Sequence, residues 1–510
     1  MNRPRFPSSK LYTPLLFLLL AALAWLAWAR FHGGPPASAR QPEAPGGSGV
    51  RQVYYGPPNS LAVLPFDVSV GGQEQAAQAE GFADEILESL IGMPALRPTA
   101  RSSSFFFRGG GGDLRVIAER LQSAHLLRGE WRGEDEGVVL ALSLYDAREN
   151  RETWRKEYSA RLPGLLDMRG AICADIVAAL PVPAPSEPCP VAAVDPQAWL
   201  HYVEGLRHAD PSGERDLPRA AKALRSALEA DPAYAAARLR LAEIWLHPAW
   251  SPGDADGDAV TEAREAVQQV LDDDPAAARA WGLLSYIRHR YDWDWPGAVD
   301  AGRRAVVLRA GDAGILGVAS LAMSTVGEFG EAQDLLEESV RRDPLNLGSR
   351  LRLGLLQEFR GDYEAALASY RQVLALNPDY PGGHAYRARV KLLQGKFDSA
   401  LRESEQESDP FWRRYAAILA LSAQDEPEQA QPMLQDMIAE TGAFAAFQIA
   451  EILAFGGDVD GAFDWLGRAY AQRDSGLAST VGNRFLENLH ADGRWPEWLA
   501  RLGLPEWGAL

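Results

Sequence analysis

The chain carries little that could do chemistry. It has two cysteines, Cys173 and Cys189. No C-x-x-C occurs, which excludes a thioredoxin-like motif and a zinc ribbon. The histidines are scattered (His201, His208, His247, His289, His384, His490), with no H-E-x-x-H and no carboxylate–histidine cluster at ligand spacing. His201 and Glu204, three apart on a helix, read as a surface pair. A basic excess is also missing. The formal net charge is −18, which argues against a phosphate-backbone partner, because nucleic-acid binders carry a basic stripe. Gly109–Gly112 is glycine-rich, but no Lys-Ser/Thr follows, so it is not a P-loop. Ser102, Ser103 and Ser104 have neither a nucleophile elbow nor a histidine partner in sequence, and read as strand-edge or loop residues. These absences leave no catalytic, cofactor-binding or metal-binding residue. The expectation is no enzyme, no cofactor, no nucleic acid and no small-molecule substrate.

What is present begins with one long apolar run. Leu11–Ala29 is apolar apart from Thr13, with Tyr12 and Pro14 near its start. As a helix it spans about 28 Å, enough for a hydrocarbon core. Trp25 and Trp28 sit at its far end, where aromatic belts lie. Arg3, Arg5 and Lys10 precede it and Arg30, Arg40 and Arg51 follow, a bias that favours a cytoplasmic N-terminus (residues 1–10) and an exported body. Ala27-Trp28-Ala29 also fits a small-x-small cleavage site. The length of the run and the bulk of the tryptophans favour an uncleaved anchor, and both readings export the rest. Residues 30–58, rich in Gly, Pro, Ala and Ser, read as a linker.

Residues 59–182 read as a small α/β domain. Leu61–Phe66 suits a buried strand, Phe82, Ile86, Leu90 and Ile91 recur at helical spacing, and Asp113 is a plausible N-cap for a helix carrying Leu114, Ile117 and Leu121. His125–Trp131, Val138–Tyr145 and Thr153–Tyr158 read as strands, the first two joined by a turn over Gly133–Gly137, and Leu165–Leu180 as a helix. The order implies a mixed sheet. Phe105, Phe106 and Phe107 are consecutive and cannot all face the core of one strand, so they read as edge packing. The stretches "SLAVLPFDV", "EGFADEILESLIGMPALRPTARSSSFFFRG" and "LYDARENRETWRKEYSA" resemble the TolB amino-terminal-like domain of many bacterial proteins. Phe82-Ala83-Asp84-Glu85-Ile86 stands where that family has an FADG-L-T pattern. The resemblance implies a bacterial protein in which the domain precedes helical repeats, while the apolar run and its charge bias place it in the inner membrane facing the periplasm. With about ten residues ahead of the apolar run, no cytoplasmic output module is expected.

After a proline-rich linker (183–195), residues 196–510 carry a repeat. Gly327, Phe329 and Ala332 recur as Gly361, Tyr363 and Ala366, and again as Gly395, Phe397 and Ala400, and Pro344 and Pro378 keep the phase. A period of 34 is the mark of the tetratricopeptide repeat. Alanine lets paired helices approach, glycine permits the left-handed turn between them, and proline stops the second helix. The crossing alanines extend the array to Ala220, Ala263, Ala298, Ala430 and Ala462. "YDWDWPGAVDAGRRAV" and the tail "NRFLENLHADGRWPEWLARLGLPEW" resemble the modules that follow TolB-like domains, with Asp492-Gly493-Arg494-Trp495 in place of the usual DPRF. The fold class is therefore α/β plus all-α: a mixed-sheet domain, then a repeat solenoid, with one N-terminal transmembrane helix.

Such an array binds a peptide or protein in its concave face. The expected function is a membrane-anchored interaction scaffold. The alternative is a sensory or regulatory subunit of an envelope signalling complex whose output lies on another chain. The alanine phase places Ile287, Arg290 and Tyr291 on the concave face of one repeat and Leu321 in the next. Leu355, Glu358 and Phe359 come from the most regular copy, and Arg389 from the one after. Ile287, Leu321 and Leu355 also suit packing between first helices, which leaves Arg290, Tyr291, Glu358, Phe359 and Arg389 as the sharper candidates. Cys173, beside Ile172 and Ile176, reads as a buried free thiol. Cys189 lies in the proline-rich linker. No disulfide is expected, although closing such a loop could contribute roughly 3 kcal/mol. The charge bias around Leu11–Ala29 predicts that alkaline phosphatase fused to the C-terminus is active in cells. Activity only from a cytoplasm-dependent reporter would reverse the topology.

Overall fold

The computed structural model describes residues 54–505, apart from residues 71, 110–111, 135–136, 184–188, 190, 211–214 and 248–257. The apolar run Leu11–Ala29 and most of the first linker lie outside the described residues. Among the described residues no helix is long and apolar enough to cross a membrane. The chain forms two compact units: residues 197–266, and residues 54–196 together with 267–505.

The N-terminal part of the larger unit is a six-stranded mixed sheet. Its elements are β1 (Ser60–Val63), β2 (Asp67–Val70), α1 (Gln73–Ile91), β3 (Arg97–Pro98), α2 (Arg101–Ser104), α3 (Leu114–Leu121), β4 (His125–Glu134), β5 (Gly137–Asp146), β6 (Arg151–Ala160), α4 (Leu162–Asp167) and α5 (Arg169–Ala179). The strand order is β3-β1-β4-β5-β6, with β2 also on β4. β1 pairs in parallel with β3 and β4, and β4–β5–β6 is an antiparallel meander. All four residues of β1 are buried, as its unbroken apolar run requires. Side-chain alternation splits β4 between two layers. Leu126 joins Ala62, Ile117, Leu121 and Tyr145 under α3, while Trp131 meets Phe82 of α1 with ring centroids 5.9 Å apart. Asp113 caps α3, accepting from the Arg115 amide.

Three expectations are corrected here. Ser102–Ser104 is not a strand edge but part of the helical turn α2, with Ser103 and Ser104 buried. The three phenylalanines follow in a 3₁₀ turn, where Phe105 is buried beneath the Arg101 guanidinium and Phe106 is exposed. Third, Cys173 and Cys189 form a disulfide, with their Cα atoms 6.1 Å apart. Cys173 is indeed buried on the helical face. The missing information was the path of the linker. Arg169 of α5 donates to the Ala192 carbonyl at 2.7 Å, which holds Ala192 near the helix that carries Cys173.

Residues 197–266 carry most of α6 (Pro196–Ala209), then α7 (Leu217–Ala230), α8 (Ala235–Trp245) and the start of α9 (Asp258–Asp273). Gly205 of α6 lies against Leu224 of α7, so close that a Cβ would come within 2.7 Å of it. The larger unit continues with six helix pairs: α10 (Ala278–Ile287) and α11 (Trp295–Leu308), α12 (Ala313–Thr325) and α13 (Phe329–Arg342), α14 (Leu347–Phe359) and α15 (Tyr363–Leu376), α16 (Gly383–Leu393) and α17 (Phe397–Gln406), α18 (Pro410–Ala423) and α19 (Pro427–Thr441), and α20 (Ala446–Phe455) and α21 (Val459–Ala471). α22 (Arg494–Leu502) follows. The crossing alanines Ala298, Ala332, Ala366, Ala400 and Ala462 are wholly buried. Each first helix ends at a left-handed residue: Trp293, Gly327, Gly361, Gly395, Asp425 and Gly457. The glycines were legible from the period. Trp293 and Asp425 hold the same conformation without one.

The sheet domain is docked onto the array within this unit. Ser102 and Ser103 of α2 donate to Asp343 at 2.7 and 2.5 Å, and the Ser103 hydroxyl accepts from the Leu345 amide at 2.9 Å. Arg97 pairs with Glu338 at 2.9 Å, and Arg309 of α11 donates to the Glu88 carbonyl of α1 at 2.7 Å. The serines that looked like candidate chemistry are a docking device. The left-handed residues yield a paired prediction. Gly361→Ala, at φ +81°, should cost about 1–2 kcal/mol. Asp425→Gly, at φ +58°, should add about 0.5–1 kcal/mol. Urea melts of the two variants decide it.

Candidate functional site

The first helices α10, α12, α14, α16, α18 and α20 supply the inner face of the array. After α21 the chain stops stacking and turns inward. Two 3₁₀ turns, Ser475–Ser479 and Arg484–Leu489, lie along that inner face, the first touching α12 and the second α20. Gly482 lets this segment lie on Phe359, since a Cβ there would come within 2.4 Å of the ring. Asp474 fixes its start by accepting from the Phe447 amide at 3.0 Å and the Gly476 amide at 2.9 Å. Arg473 donates to the Tyr291 carbonyl. Further on, the Trp295 indole of α11 donates to the Leu502 carbonyl of α22 at 2.7 Å.

Beneath the segment lies a buried ion cluster. Arg389 of α16 is 3% exposed and Glu358 of α14 is 0% exposed. Arg389 Nε and Nη2 donate to one Glu358 oxygen at 3.1 and 2.9 Å. Its Nη1 donates to Glu451 of α20 at 2.9 Å and to the Tyr415 hydroxyl of α18. Tyr415 donates to the other Glu451 oxygen at 3.1 Å, and Asn483 of the inward segment donates to Glu451 at 2.6 Å. The Phe485 ring covers the guanidinium at 4.2 Å. Burial pushes the Glu358 carboxyl up, with Arg389 pulling the other way. Burial also opposes the Arg389 charge, but Glu358, Tyr415 and Glu451 outweigh it and hold the guanidinium well above its ordinary value.

Two cavities flank the segment. The first, about 320 Å³, is lined by Arg290, Leu321, Arg352, Leu355 and Phe359 among others, with Ser475, Ala478 and Ser479 as its far wall. The second, about 370 Å³, is bounded by Tyr386, Phe411, Trp412, Phe444 and Gln448 and shares Leu355 and Phe359 with the first. Tyr370, Tyr386 and Trp412 form a run of rings with centroids 5.7 and 5.5 Å apart, and Phe444 beside it is 63% exposed.

The predicted groove residues therefore divide. Arg290, Leu321, Leu355 and Phe359 are brought together around the first cavity. Ile287 is buried, as the packing alternative has it. Tyr291 is half-buried with its carbonyl taken by Arg473, and burial pushes its hydroxyl up to about 12. The expectation that Glu358 and Arg389 offer free side chains to a partner is corrected. They lie on the inner side, but the chain's own segment covers them and they bind each other. Arg352, His289, Glu451, Tyr415 and Asn483 were missed. Asn483 stood in view inside the "NRFLEN" tail, but nothing local marks where that tail folds. Among the described residues no group of His, Cys, Asp or Glu could hold a metal ion.

Comparison with known proteins bears on the array. A model of the tetratricopeptide repeat matches residues 213–247, 324–381 and 351–412. The helical array is built of tetratricopeptide repeats. A curated relative from Rhizobium meliloti (strain 1021), named "Putative adenylate cyclase 3", is 28% identical over 222 residues, which is 42% of this chain and 38% of that relative's length. Among solved structures, PilW, a type IV pilus biogenesis factor, is 16% identical with a TM-score of 0.36, the likeness covering 43% of this chain and 98% of PilW. YrrB, a repeat protein with an unusual peptide-binding site, is 14% identical with a TM-score of 0.31, covering 42% of this chain and 99% of YrrB.

Removing the shared cation leaves two buried carboxylates facing each other. Arg389→Met should therefore cost about 3–5 kcal/mol in chemical denaturation. Glu358→Gln, which leaves Arg389 paired with Glu451, should cost distinctly less. A second prediction concerns pH. His289 is buried, its Nε2 lies 2.9 Å from the Thr325 hydroxyl, and burial, reinforced by Arg290 and Arg352, lowers its pKa from 6.5 to about 4. A folded-state value below the unfolded one favours the neutral ring. That stability is present above pH 6.5 and is lost as pH falls towards 4. The loss attributable to His289 is about 3 kcal/mol, and a His289→Gln variant should show a correspondingly flatter stability profile across this window.

Proposed function

We propose that the protein is a non-enzymatic interaction scaffold, anchored in a bacterial inner membrane by Leu11–Ala29, that holds a peptide or protein partner in the periplasm. The observation that carries this reading is the aromatic trough beside the inward segment. Tyr386, Trp412 and the exposed Phe444 offer aromatic rings along one side of the repeat surface, the composition of interface hot spots. Leu355 and Phe359, picked out by the repeat phase, continue the trough. The partner surface is thus displaced from the centre of the concave face, where the chain's own segment lies, towards α16–α20. Export is supported by the disulfide, which belongs to an oxidising compartment. The TolB-like reading of the sheet domain rests on its sequence motifs.

A second reading has one observation in its favour. The likeness to part of a protein named as a cyclase suits a regulatory subunit of an envelope signalling complex, with the output enzyme on another chain. Crosslinking in intact membranes followed by partner identification tests both. Trp412→Ala with Phe444→Ala should reduce capture about tenfold or more, since truncated hot spots cost about 2 kcal/mol or more, while melting stays close to wild type. Undiminished capture by the double variant would remove the trough as the partner site. Recovery of a partner with a cytoplasmic catalytic domain would favour the regulatory reading.

A further inference from the structure

We propose that the cavity between α12, α14 and the turn Ser475–Ser479 binds a small carboxylic acid with an apolar body, its carboxylate held by Arg290 and Arg352. The chain carries a net charge of −18, and several guanidiniums elsewhere in the array find carboxylates, as Arg303, Arg342 and Arg389 do. The two in this cavity do not. Arg352 donates to the Ser349 hydroxyl at 3.3 Å, and no acid lies close enough to support its charge, which burial pushes down. Arg290 lies 5.8 Å from the centre of the Tyr291 ring and forms no ion pair among the described residues. Asp474, whose carboxyl feels the Arg290 charge, already accepts from the amides of Phe447 and Gly476. His289 lines the same cavity and feels both guanidiniums, and its ring is neutral at pH 7.

A desolvated cation without a counterion costs stability. Arg290 and Arg352, both half-buried at one cavity, make a site for an anion that two planar guanidiniums can grip. Gly317 leaves room for this, because a Cβ there would lie 3.3 Å from Arg352 Nη2. The remaining wall is apolar, through Leu321, Leu355 and Phe359, which specifies a ligand with a hydrocarbon or aryl body rather than a bare inorganic ion. At about 320 Å³ the cavity sits at the lower end of small-molecule sites, roughly 300–1,000 Å³. Ser475, Ala478 and Ser479 block the path that an extended peptide would follow along the inner face.

Titration calorimetry and thermal melting of the full-length protein in nanodiscs test this, with 4-phenylbutyrate and hexanoate as probes. The neutral amides of the same acids, inorganic phosphate and an acidic pentapeptide serve as controls. At least one acid should bind saturably and raise the melting temperature. Its amide should bind at least tenfold more weakly, and Arg290→Met and Arg352→Met should each weaken acid binding at least tenfold. Arg352→Met should not lower the melting temperature of the free protein, because it removes an unpaired charge. A purely structural arginine would behave in the opposite way. If Arg352→Met fails to fold, Arg290→Met decides. The inference is overturned if neither acid binds saturably, if amides bind as well as acids, or if both arginine variants retain wild-type affinity. Phosphate binding as tight as either acid, or the pentapeptide binding more tightly, would likewise overturn it. The partner-capture experiment uses other residues, so failure of one leaves the other standing.

Discussion

One guanidinium sets the register of the array. Arg389 on α16 reaches Glu358 on α14, Tyr415 on α18 and Glu451 on α20, while Asn483 in the inward segment closes on Glu451. Alanine-lined helix faces tolerate small sliding, because dispersion has no direction. A planar fork with fixed donors does not. Four successive repeats and the tail are thus tied to one point, and that point is dry. The cost is desolvation of one cation and two carboxylates, offset by hydrogen bonds at 2.9 Å and by the Phe485 ring over the guanidinium.

How far this was legible in the sequence follows from the distance over which each feature is encoded. Gly327, Gly361 and Gly395 predicted left-handed helix ends, and all three are left-handed, because a turn is a local property. The mixed sheet was legible for the same reason, since each strand and helix carries its own period. Of the residues that the repeat phase puts on one face, Arg290, Leu321, Leu355 and Phe359 line one cavity. Contacts between distant segments were not. Arg389 and Asn483 are 94 residues apart, and no period relates them. Arg389 and Glu358 were read as groove residues because the segment that buries them has no helical repeat of its own. The disulfide was missed likewise, since contacts such as that of Arg169 with Ala192, 23 residues away, leave no local mark.

The sheet domain is not a bead on a string. Asp343 ends α13 and receives both serine hydroxyls of α2, so the junction between two repeats doubles as the receptor for the domain. A carboxylate that otherwise belongs to a helix terminus becomes the joint between an α/β fold and an all-α one. The tempting serine run is explained by that joint, and the aromatic trough around Trp412 and Phe444 lies further along the array.

The bond from the Trp295 indole to the Leu502 carbonyl has a consequence for how such a chain changes over time. An open solenoid grows or shrinks by whole repeats, because each copy touches only its neighbours. Here the first full pair of the larger unit is fastened to the last helix. Duplicating or deleting one 34-residue copy between them would carry Trp295 away from Leu502, and a copy inserted between α14 and α16 would also part Glu358 from Arg389. The number of repeats between residue 295 and residue 502 is therefore a fixed dimension of the molecule, like the strand count of a closed barrel, and variation is confined to loops and to the copies that lie before the clasp.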